Sequence, residues 1–236
     1  RGDYMHEYID CYIAIIDLLG FKNAVKYKMC EEIYSYYEEI NTQYVVNNEL
    51  TNTPIIDEGT LHMKVASDTI LLYIEAKERN SLAGLISACD YLQVRLFRQA
   101  TPILSRGAIV RGKIFAEKDI YFGEGIVDAY LMEENVAKYP RIILTKETID
   151  SWDTFDDSGK NYVDTFTYQD DDDFYVVDSL YLFYGLNHEM ESWKLFARYV
   201  MRVLDSETNP SIREKYGYIK RQFPRISELL NRNLST

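Results

Sequence analysis

The stretch Tyr12-Ile13-Ala14-Ile15-Ile16-Asp17-Leu18-Leu19-Gly20-Phe21-Lys22 decides the fold of this chain. Its apolar run is short and rich in β-branched residues, and it ends in one carboxylate followed by a glycine, which predicts a buried strand rather than a helix. Asp17 then stands at the carboxyl end of that strand. A carboxylate between a buried strand and a helix N-terminus lies beside free backbone N–H groups, where phosphates and their metals are readily held. The stretch therefore predicts the first half of a binding site.

A helix is predicted directly after this strand. The apolar residues change to a helical spacing there, which keeps one apolar stripe along a single helix. These residues are Phe21, Val25, Met29, Ile33, Tyr37, Ile40 and Tyr44. The polar stretch from Asn47 to Gly59 then indicates a connection.

Two short strands are predicted on either side of the dipeptide Ser67-Asp68. Residues Thr60 to Ala66 alternate between apolar and polar, and residues Thr69 to Glu75 are mostly apolar. Because two polar residues separate them, the segments are expected to form a hairpin with Asp68 at its tip. Lys64 lies on the polar face of the first of these strands.

The rest of the chain continues to alternate between helical and strand patterns. The predicted elements are a helix capped by Asn80 or Ser81 and stopped by Pro102, strands from Ile103 to Val110 and from Lys113 to Phe122, a helix from about Glu124 to Ala137, a late strand from Asp173 to Phe183, and amphipathic helices from His188 onward with an interruption at Pro224.

This order predicts an α+β fold with a ferredoxin-like, palm-type β-α-β-β-α-β sheet and helices on one face. We expect that sheet in residues 5–186, followed by a C-terminal helical extension in residues 187–236. In this topology the first and third strands are antiparallel neighbours, so Asp17 lies beside Asp68. Two converging carboxylates can hold two divalent ions about 4 Å apart, an arrangement that moves phosphoryl groups. The sequence thus predicts a two-metal nucleotide site.

Simpler explanations exist for each polar residue taken alone. An aspartate at a strand end or a hairpin tip is most often a turn former or a helix cap. Lys64 is then a solvated lysine, Arg106 and Arg111 are surface ion-pair residues, and the run from Asp170 to Asp173 is a solvated acidic loop. The pairing of two aspartates in this topology is the more specific signal.

Composition excludes several classes of protein. The net charge of −12 over 236 residues opposes binding to a phosphate backbone, so we expect no nucleic-acid partner. Three scattered cysteines, Cys11, Cys30 and Cys89, fit reduced thiols in a cytoplasmic protein better than disulfides. No apolar stretch reaches the roughly 18 residues of a spanning helix, so we expect no membrane association.

Several of these segments resemble the motifs of class III nucleotidyl cyclases, over roughly residues 8 to 150. Ala14-Ile15-Ile16-Asp17-Leu18-Leu19-Gly20-Phe21 is similar to the first metal motif of that family, and Lys64-Val65-Ala66-Ser67-Asp68 is similar to the second. Arg106-Gly107-Ala108-Ile109-Val110-Arg111-Gly112, Tyr121-Phe122-Gly123 and Pro140-Arg141-Ile142-Ile143-Leu144-Thr145 follow in the family's order.

The resemblance implies a homodimer with active sites between subunits, which converts a nucleoside triphosphate to a 3′,5′-cyclic nucleotide and pyrophosphate. It implies that two ions, Mn²⁺ or Mg²⁺, are held by Asp17 and Asp68 with help from the Leu18 carbonyl. It also implies that the triphosphate is bound by backbone N–H groups around Leu19, Gly20 and Phe21, and that Lys64 contacts the base.

Two departures from the family pattern concern the base pocket and the transition state. Purine cyclases carry an asparagine and an arginine on the helix after Gly123, where this chain has Val127 and Leu131. Ile120 falls near the place of the acidic or hydroxyl residue that helps the lysine to recognise a purine. The protein is therefore either catalytically silent or a branch with a rebuilt pocket.

The stretch from Phe122 to Tyr130, with Tyr139-Pro140-Arg141-Ile142 and a tail containing Lys215-Tyr216, resembles the pyrimidine cyclases of bacterial anti-phage (Pycsar) systems. That branch implies cyclic UMP or cyclic CMP as product, manganese as metal, and a separate effector that binds the cyclic nucleotide.

In that branch Arg106 or Arg111 replaces the missing helix arginine. The choice stays open at this stage, because the two differ in strand parity and Gly107 can introduce a bulge. Lys22, Lys138 and Arg141 are the next candidates for this charge.

The alternative functions are an inactive cyclase-homology domain that only dimerises or binds nucleotide, and a palm-type polymerase or cyclic-dinucleotide synthase. The last of these lacks the adjacent Gly-Gly-Asp hairpin signature.

Overall fold

A computed structural model of the chain describes residues 6–41, 47–48, 53–54, 56–57, 59–152, 155–181 and 190–233. The strands are β1 (Ile9–Leu18), β2 (Asn47–Asn48), β3 (Thr53–Pro54), β4 (His62–Ala66), β5 (Thr69–Glu75), β6 (Ser105–Glu117), β7 (Ile120–Phe122), β8 (Ile142–Leu144), β9 (Thr167–Gln169) and β10 (Tyr175–Val177). The helices are α1 (Phe21–Tyr27), α2 (Cys30–Asn41), α3 (Ser81–Phe97), α4 (Glu124–Asn135), α5 (Lys146–Asp150), α6 (Asp157–Phe166), α7 (Met190–Ser206) and α8 (Pro210–Asn233).

Strand β1 lies inside the sheet, as its apolar run predicts. The main sheet has the order β4-β5-β1-β6-β8-β10-β9, and β7 pairs with the carboxyl-terminal end of β6. Strands β5 and β6 both run antiparallel to β1. The predicted β-α-β-β-α-β unit is therefore confirmed, with its first and third strands as neighbours, and β8 extends the sheet in parallel to β6.

The two faces of the sheet are covered by different helices. Tyr12, Ala14, Ile16 and Leu18 of β1 join a large core that also contains buried residues of α3, α6, α7 and α8. The alternate residues Cys11, Ile13 and Ile15 face a smaller core with Ala129 of α4. The helices of the ferredoxin-like unit were predicted on one face of the sheet, and α2 does contact α3 there, whereas α4 packs on the opposite face.

The helix after β1 is two helices, and the prediction of one continuous helix was wrong. Lys28 has an extended backbone after α1, and the Glu32 side chain accepts the Met29 N–H at 3.0 Å, which caps the start of α2. The apolar stripe is not buried over its described part, because Val25 and Met29 are exposed. The predicted connection from residue 47 also contains the short pair β2 and β3.

Strand β6 is continuous through Gly112, although the sequence predicted two strands there. Its register with β1 runs without a bulge from Ile114 opposite Ile9 to Ser105 opposite Leu18. A Cβ atom on Gly112 would lie 2.6 Å from the Cα of Gly125 in α4. This glycine therefore allows a helix to approach the sheet closely instead of breaking the strand.

Asn80 precedes α3, but its side chain does not cap the helix, so one of the two predicted caps was wrong. Its backbone is left-handed, with φ of 55°, and its side chain turns to a neighbouring loop. Asn80 Oδ1 accepts the Asp156 N–H at 2.8 Å, and Asn80 Nδ2 donates to Asp156 Oδ1 at 2.9 Å. The pKa of Asp156 is lowered, chiefly because Ser158 and other donors bond its carboxylate at the start of α6.

The C-terminal helices close the main core, as the amphipathic pattern suggested. Trp193 and Phe196 of α7 and Ile226 of α8 are buried in the same cluster as β1. Helix α8 continues through Pro224, although an interruption was predicted. Arg225, in the turn that lacks the proline N–H, donates to both oxygens of Asp178 at 2.6 and 2.8 Å, which holds the helix to the body of the protein.

The late strand is confirmed as β10, which pairs with β8 and is shorter than predicted. Phe183 and His188, the ends of two predicted elements, lie outside the described residues. Cys11 and Cys89 are buried and Cys30 is exposed, and all three are free thiols. In the part of the chain that is described, every helix is too short or too polar to cross a bilayer.

Candidate active site

The structure brings Asp17 and Asp68 together at one end of β1. Asp17 pairs across the sheet with Thr69, the first residue of β5. The Leu18 N–H donates to the Asp68 carbonyl at 2.9 Å, which ties the hairpin turn to the end of β1. Ser67 takes the positive φ of 58° that this tight turn needs. The strand order and one backbone hydrogen bond thus place the two residues side by side.

Arg106 lies on the other side of Asp17, at the start of β6. The two residues are direct cross-strand partners. Arg106 Nε donates to Asp17 Oδ2 at 3.3 Å, and Arg106 Nη1 lies 3.5 Å from the carbonyl oxygen of Ala137. Both side chains are about three-quarters buried, at 24% and 23% exposed. The guanidinium is therefore a close counter-charge for the carboxylate that is expected to hold metal.

Glu133 is a third carboxylate at this site, and sequence reasoning missed it. It is buried on the inner face of α4, one and two turns after the buried residues Ala129 and Gly125. Its Oε1 atom lies 2.8 Å from Arg106 Nε, although the two are not aligned as a hydrogen bond. Burial raises the pKa of Glu133 to about 7, and the nearby carboxylates of Asp17 and Asp68 add to the effect while Arg106 opposes it.

The electrostatic surroundings of Asp17 include a residue from the far end of the chain. Burial raises the pKa of Asp17, Arg106 lowers it, Asp68 raises it, and Lys215 of α8 lowers it. The segments that resemble pyrimidine cyclases include Lys215, but the resemblance implied no role for it. Its place near the site depends on α8 folding back over the sheet, which no local pattern in the sequence reports.

The charges and atom types at this site suit a hard divalent cation. Carboxylate and carbonyl oxygens are the ligands that Mg²⁺ and Mn²⁺ prefer. The Glu133 Oε1 atom is buried without an aligned donor, and the carboxylates of Asp17 and Asp68 lie close enough to raise the pKa of Glu133. Among the described residues, His, Cys, Asp and Glu form no group of three that could hold a metal by themselves. A metal here would therefore need substrate or water oxygens as well, which is usual for Mg²⁺ at nucleotide sites.

The predicted triphosphate loop is only partly available for that role. The Leu19 N–H donates to the Leu104 carbonyl at 2.8 Å and is already engaged. Gly20 has a left-handed φ of 83°, which a glycine adopts readily, and its carbonyl accepts from Asn23 and Ala24 at the start of α1. The loop therefore turns sharply into a short helix beside Phe21.

Lys64 lies on the same face of the sheet as Asp17, because its partner Leu71 pairs in turn with Ile15. Its ammonium group lies 3.5 Å from Asp119 Oδ1 and 5.2 Å from the centre of the Tyr121 ring. An acidic residue thus stands beside Lys64, one position before the expected place.

Ile120 faces away from this lysine. Strand β7 pairs residue 120 with Glu117 and residue 121 with Ala116, so Ile120 lies on the side of the ribbon opposite Tyr121.

Arg111 is not brought to the site. It lies opposite Tyr12 on β6 and points to the large core side, where its guanidinium stands 5.6 Å from the centre of the Tyr12 ring. Its Nη2 donates to Asp10 Oδ2 at 2.8 Å, and its Nη1 donates to the Ser151 carbonyl.

Arg141, a further candidate for the catalytic charge, is held in a separate cluster. It is 3% exposed and pairs with Asp170 and Asp172, and Asp170 also accepts from the Tyr218 hydroxyl at 2.8 Å. The interpretation of residues 170–173 as a merely solvated loop was therefore wrong, since two of its carboxylates neutralise a buried arginine. Lys22 and Lys138 are exposed.

No protein-family model and no curated protein match this chain. Solved structures do match it at low identity. The monomeric guanylyl cyclase domain of the RhoGC fusion protein from the aquatic fungus Blastocladiella emersonii matches with 12% identity and a TM-score of 0.49, over 72% of this chain and 95% of that chain. The catalytic core of a rhodopsin-guanylyl cyclase with converted specificity, in complex with ATPalphaS, matches with 11% identity and a TM-score of 0.45, over 72% and 96%. An adenylate/guanylate cyclase/hydrolase from Silicibacter pomeroyi matches with 14% identity and a TM-score of 0.43, over 62% and 81%. The functional argument therefore rests on the residues around Asp17.

Proposed function

We propose that the protein is a nucleotide cyclase, which converts a nucleoside triphosphate to a 3′,5′-cyclic nucleotide and pyrophosphate. The observation that carries this proposal is the meeting of Asp17 and Asp68 at the end of β1, with the Arg106 guanidinium 3.3 Å from Asp17. Two carboxylates beside a fixed cation are what a phosphoryl-transfer site needs, because its chemistry depends on positioning and on charge stabilisation.

The reaction forms a bond from the ribose 3′-oxygen to the α-phosphorus, transfers the 3′-hydroxyl proton to water, and breaks the bond from that phosphorus to the bridging oxygen of pyrophosphate. Asp17 and Asp68, with the Leu18 carbonyl, would hold Mn²⁺ or Mg²⁺. Such ions, when bound, acidify the hydroxyl and neutralise charge on the leaving group. Arg106 would donate to the phosphoryl oxygens as charge develops on them. Lys215 adds positive charge from α8.

Arg106 is the better candidate than Arg111 for the role of the missing helix arginine. The unbroken register of β6 puts Arg106 on the face of Asp17 and puts Arg111 on the opposite face. Gly107 introduces no bulge that would exchange these faces. We therefore assign the charge-stabilising role to Arg106.

We propose UTP or CTP as the substrate, on the strength of the resemblance to pyrimidine cyclases. The base would be read near Lys64, whose neighbours Asp119 and Tyr121 offer one acceptor and one ring face. The product would act as a second messenger in bacterial anti-phage defence through a separate effector. Asp119 also gives Lys64 an acidic partner, which is the combination that recognises a purine in the related cyclases. A substrate test must therefore compare purine with pyrimidine nucleotides.

A two-fold homodimer is part of the proposal. Helix α4, which packs on the sheet face that carries Asp17 and Lys64, exposes the apolar side chains of Val127 and Leu131, at 53% and 48% exposed. Such a patch is typical of an interface. A monomer by light scattering at micromolar concentration would count against the shared active site.

The function is tested by incubating the protein with each of the four NTPs, in Mg²⁺ and in Mn²⁺, and separating the products by chromatography. We expect a cyclic monophosphate and pyrophosphate from UTP or CTP, with Mn²⁺ supporting the faster reaction. Unreacted NTP under every condition would refute the proposal.

The second candidate function is a catalytically silent module that binds nucleotide or dimerises. The observation that favours it is the apolar surface of Val127 and Leu131, where purine cyclases carry polar residues. Nucleotide binding by calorimetry without any turnover in the same assay would support this second function over the first.

A further inference from the structure

Arg106 stands between two carboxylates that come from different parts of the fold. Its Nε atom is 3.3 Å from Asp17 Oδ2, across the sheet, and 2.8 Å from Glu133 Oε1, on helix α4. Only the first contact is aligned as a hydrogen bond. The guanidinium is therefore shared between the two acids.

Glu133 is an unusual residue for its position on α4. The other buried residues of that helix are Gly125 and Ala129, which are small and let the helix approach β6 closely. Glu133 continues their stripe but is ionisable, large and only 5% exposed in its side chain. A buried carboxylate is costly unless it is paired, so packing alone does not explain a glutamate here.

The shared arginine creates a conflict with metal binding. A divalent ion on Asp17 would need the same carboxylate oxygens to which Arg106 donates, and the two cations would repel each other. A second acid on the far side of the arginine resolves this conflict, because it offers the guanidinium another carboxylate within 3 Å of its present position.

We propose, on the basis of the proposed two-metal function, that Glu133 is a positioning residue that draws Arg106 away from Asp17 and so leaves the Asp17 carboxylate open to a divalent ion. Arg106 then stays at the edge of the site with its remaining N–H groups available to the phosphoryl oxygens. Residues that orient metal ligands from behind typically change metal affinity by 10- to 100-fold when they are replaced.

The test measures binding of Mn²⁺ alone, without nucleotide, by calorimetry and by water-proton relaxation. We expect Glu133→Gln to weaken Mn²⁺ binding by about 10-fold or more, because Arg106 is left with Asp17 as the one carboxylate partner that the described residues provide. The matched control is Glu134→Gln, which removes the same charge from the exposed neighbour in α4 and should leave Mn²⁺ affinity within about 2-fold of the original.

A second pair of variants separates positioning from direct ligation. In an Arg106→Gln background no guanidinium competes for Asp17, so adding Glu133→Gln should change Mn²⁺ affinity by less than about 2-fold. An equal loss in both backgrounds would show that Glu133 acts as a ligand or as a remote charge, and would overturn the proposal. So would Glu133→Gln binding Mn²⁺ as tightly as Glu134→Gln does. If the unaltered protein binds no Mn²⁺, the two-metal function itself fails, which is a different result from either of these.

Discussion

Arg106 and Arg111 lie on one strand, β6, and have opposite surroundings. Arg106 shares a sheet face with Asp17 and α4, and it contacts two largely buried carboxylates. Arg111 faces the large core side, where it is bonded to Asp10 and to the Ser151 carbonyl and lies beside the Tyr12 ring.

The difference follows from strand geometry. An odd number of residues along an unbroken strand exchanges the two faces of the sheet. Arg111 pairs with the half-exposed Asp10, whereas Arg106 lies within 3.3 Å of two largely buried carboxyl groups. Under the proposed function, Arg106 serves the site and Arg111 serves the fold.

The largest effect is expected from the two proposed metal ligands, of which Asp17 contacts Arg106. Asp17→Asn or Asp68→Asn should abolish cyclisation, a loss of about 10³-fold or more, because each removes a metal ligand and a charge. Melting should barely change for Asp17→Asn, since burial already raises the pKa of that carboxyl and makes its charged form unfavourable. Turnover by chromatography and a thermal melt check both statements. Retained turnover in either variant would remove the two-metal mechanism.

The next effect concerns the arginine itself. Arg106→Ala should lower kcat by about 10²-fold, comparable with the loss of one preorganised donor to a transition state. The matched change Arg111→Ala should leave kcat within about 3-fold. Steady-state kinetics on the same NTP compare the two. If Arg111→Ala has the larger effect, the assignment by strand face is wrong, and the partner subunit of a dimer would have to bring that arginine to the site.

A third prediction uses the pKa of Glu133, about 7 in the folded protein against an ordinary value of 4.5. The folded state holds this proton more tightly than the unfolded chain does, so its contribution to stability is full below pH 4.5 and is lost as pH rises through 7. Between pH 5 and 8 the protein should lose about 2 kcal/mol of unfolding free energy relative to Glu133→Gln, which has no proton to release.

Urea unfolding at the two pH values measures this difference. Glu134→Gln, on the exposed side of the same helix, should show the pH dependence of the unaltered protein. Parallel pH dependence in Glu133→Gln as well would mean that the glutamate is not desolvated in the folded state.

The sequence was sufficient for the parts of the site that depend on strand order. The apolar run ending in Asp17, the turn at Asp68 and the ferredoxin-like order together predicted a convergence that one backbone hydrogen bond completes. The choice between Arg106 and Arg111 required the register, because a bulge at Gly107 would have exchanged their faces.

The sequence did not predict that Glu133 and Lys215 lie near the site, and the reason is different. Helix α4 is apolar on the face toward the sheet and also carries Val127 and Leu131 on its exposed surface, so its pattern does not show which side is buried. Likewise, Gly112 looked like a strand end because a sequence shows a glycine but not the helix that approaches it.

The smallest effect is expected from the structural arginine. Arg111→Ala should lower the free energy of unfolding by no more than about 1 kcal/mol, because its partner Asp10 is 47% exposed and water screens such pairs. The contact with the buried Tyr12 ring adds little more, because the guanidinium lies 5.6 Å from the ring centre, close to the limit of about 6 Å for a cation–π contact. Urea unfolding at pH 7, with Asp10→Asn as the control that removes the same ion pair from the other side, measures it. A loss of several kcal/mol in Arg111→Ala but not in Asp10→Asn would contradict this expectation. It would show that the hydrogen bond from Arg111 to the Ser151 carbonyl, rather than the surface ion pair with Asp10, stabilises this part of β6.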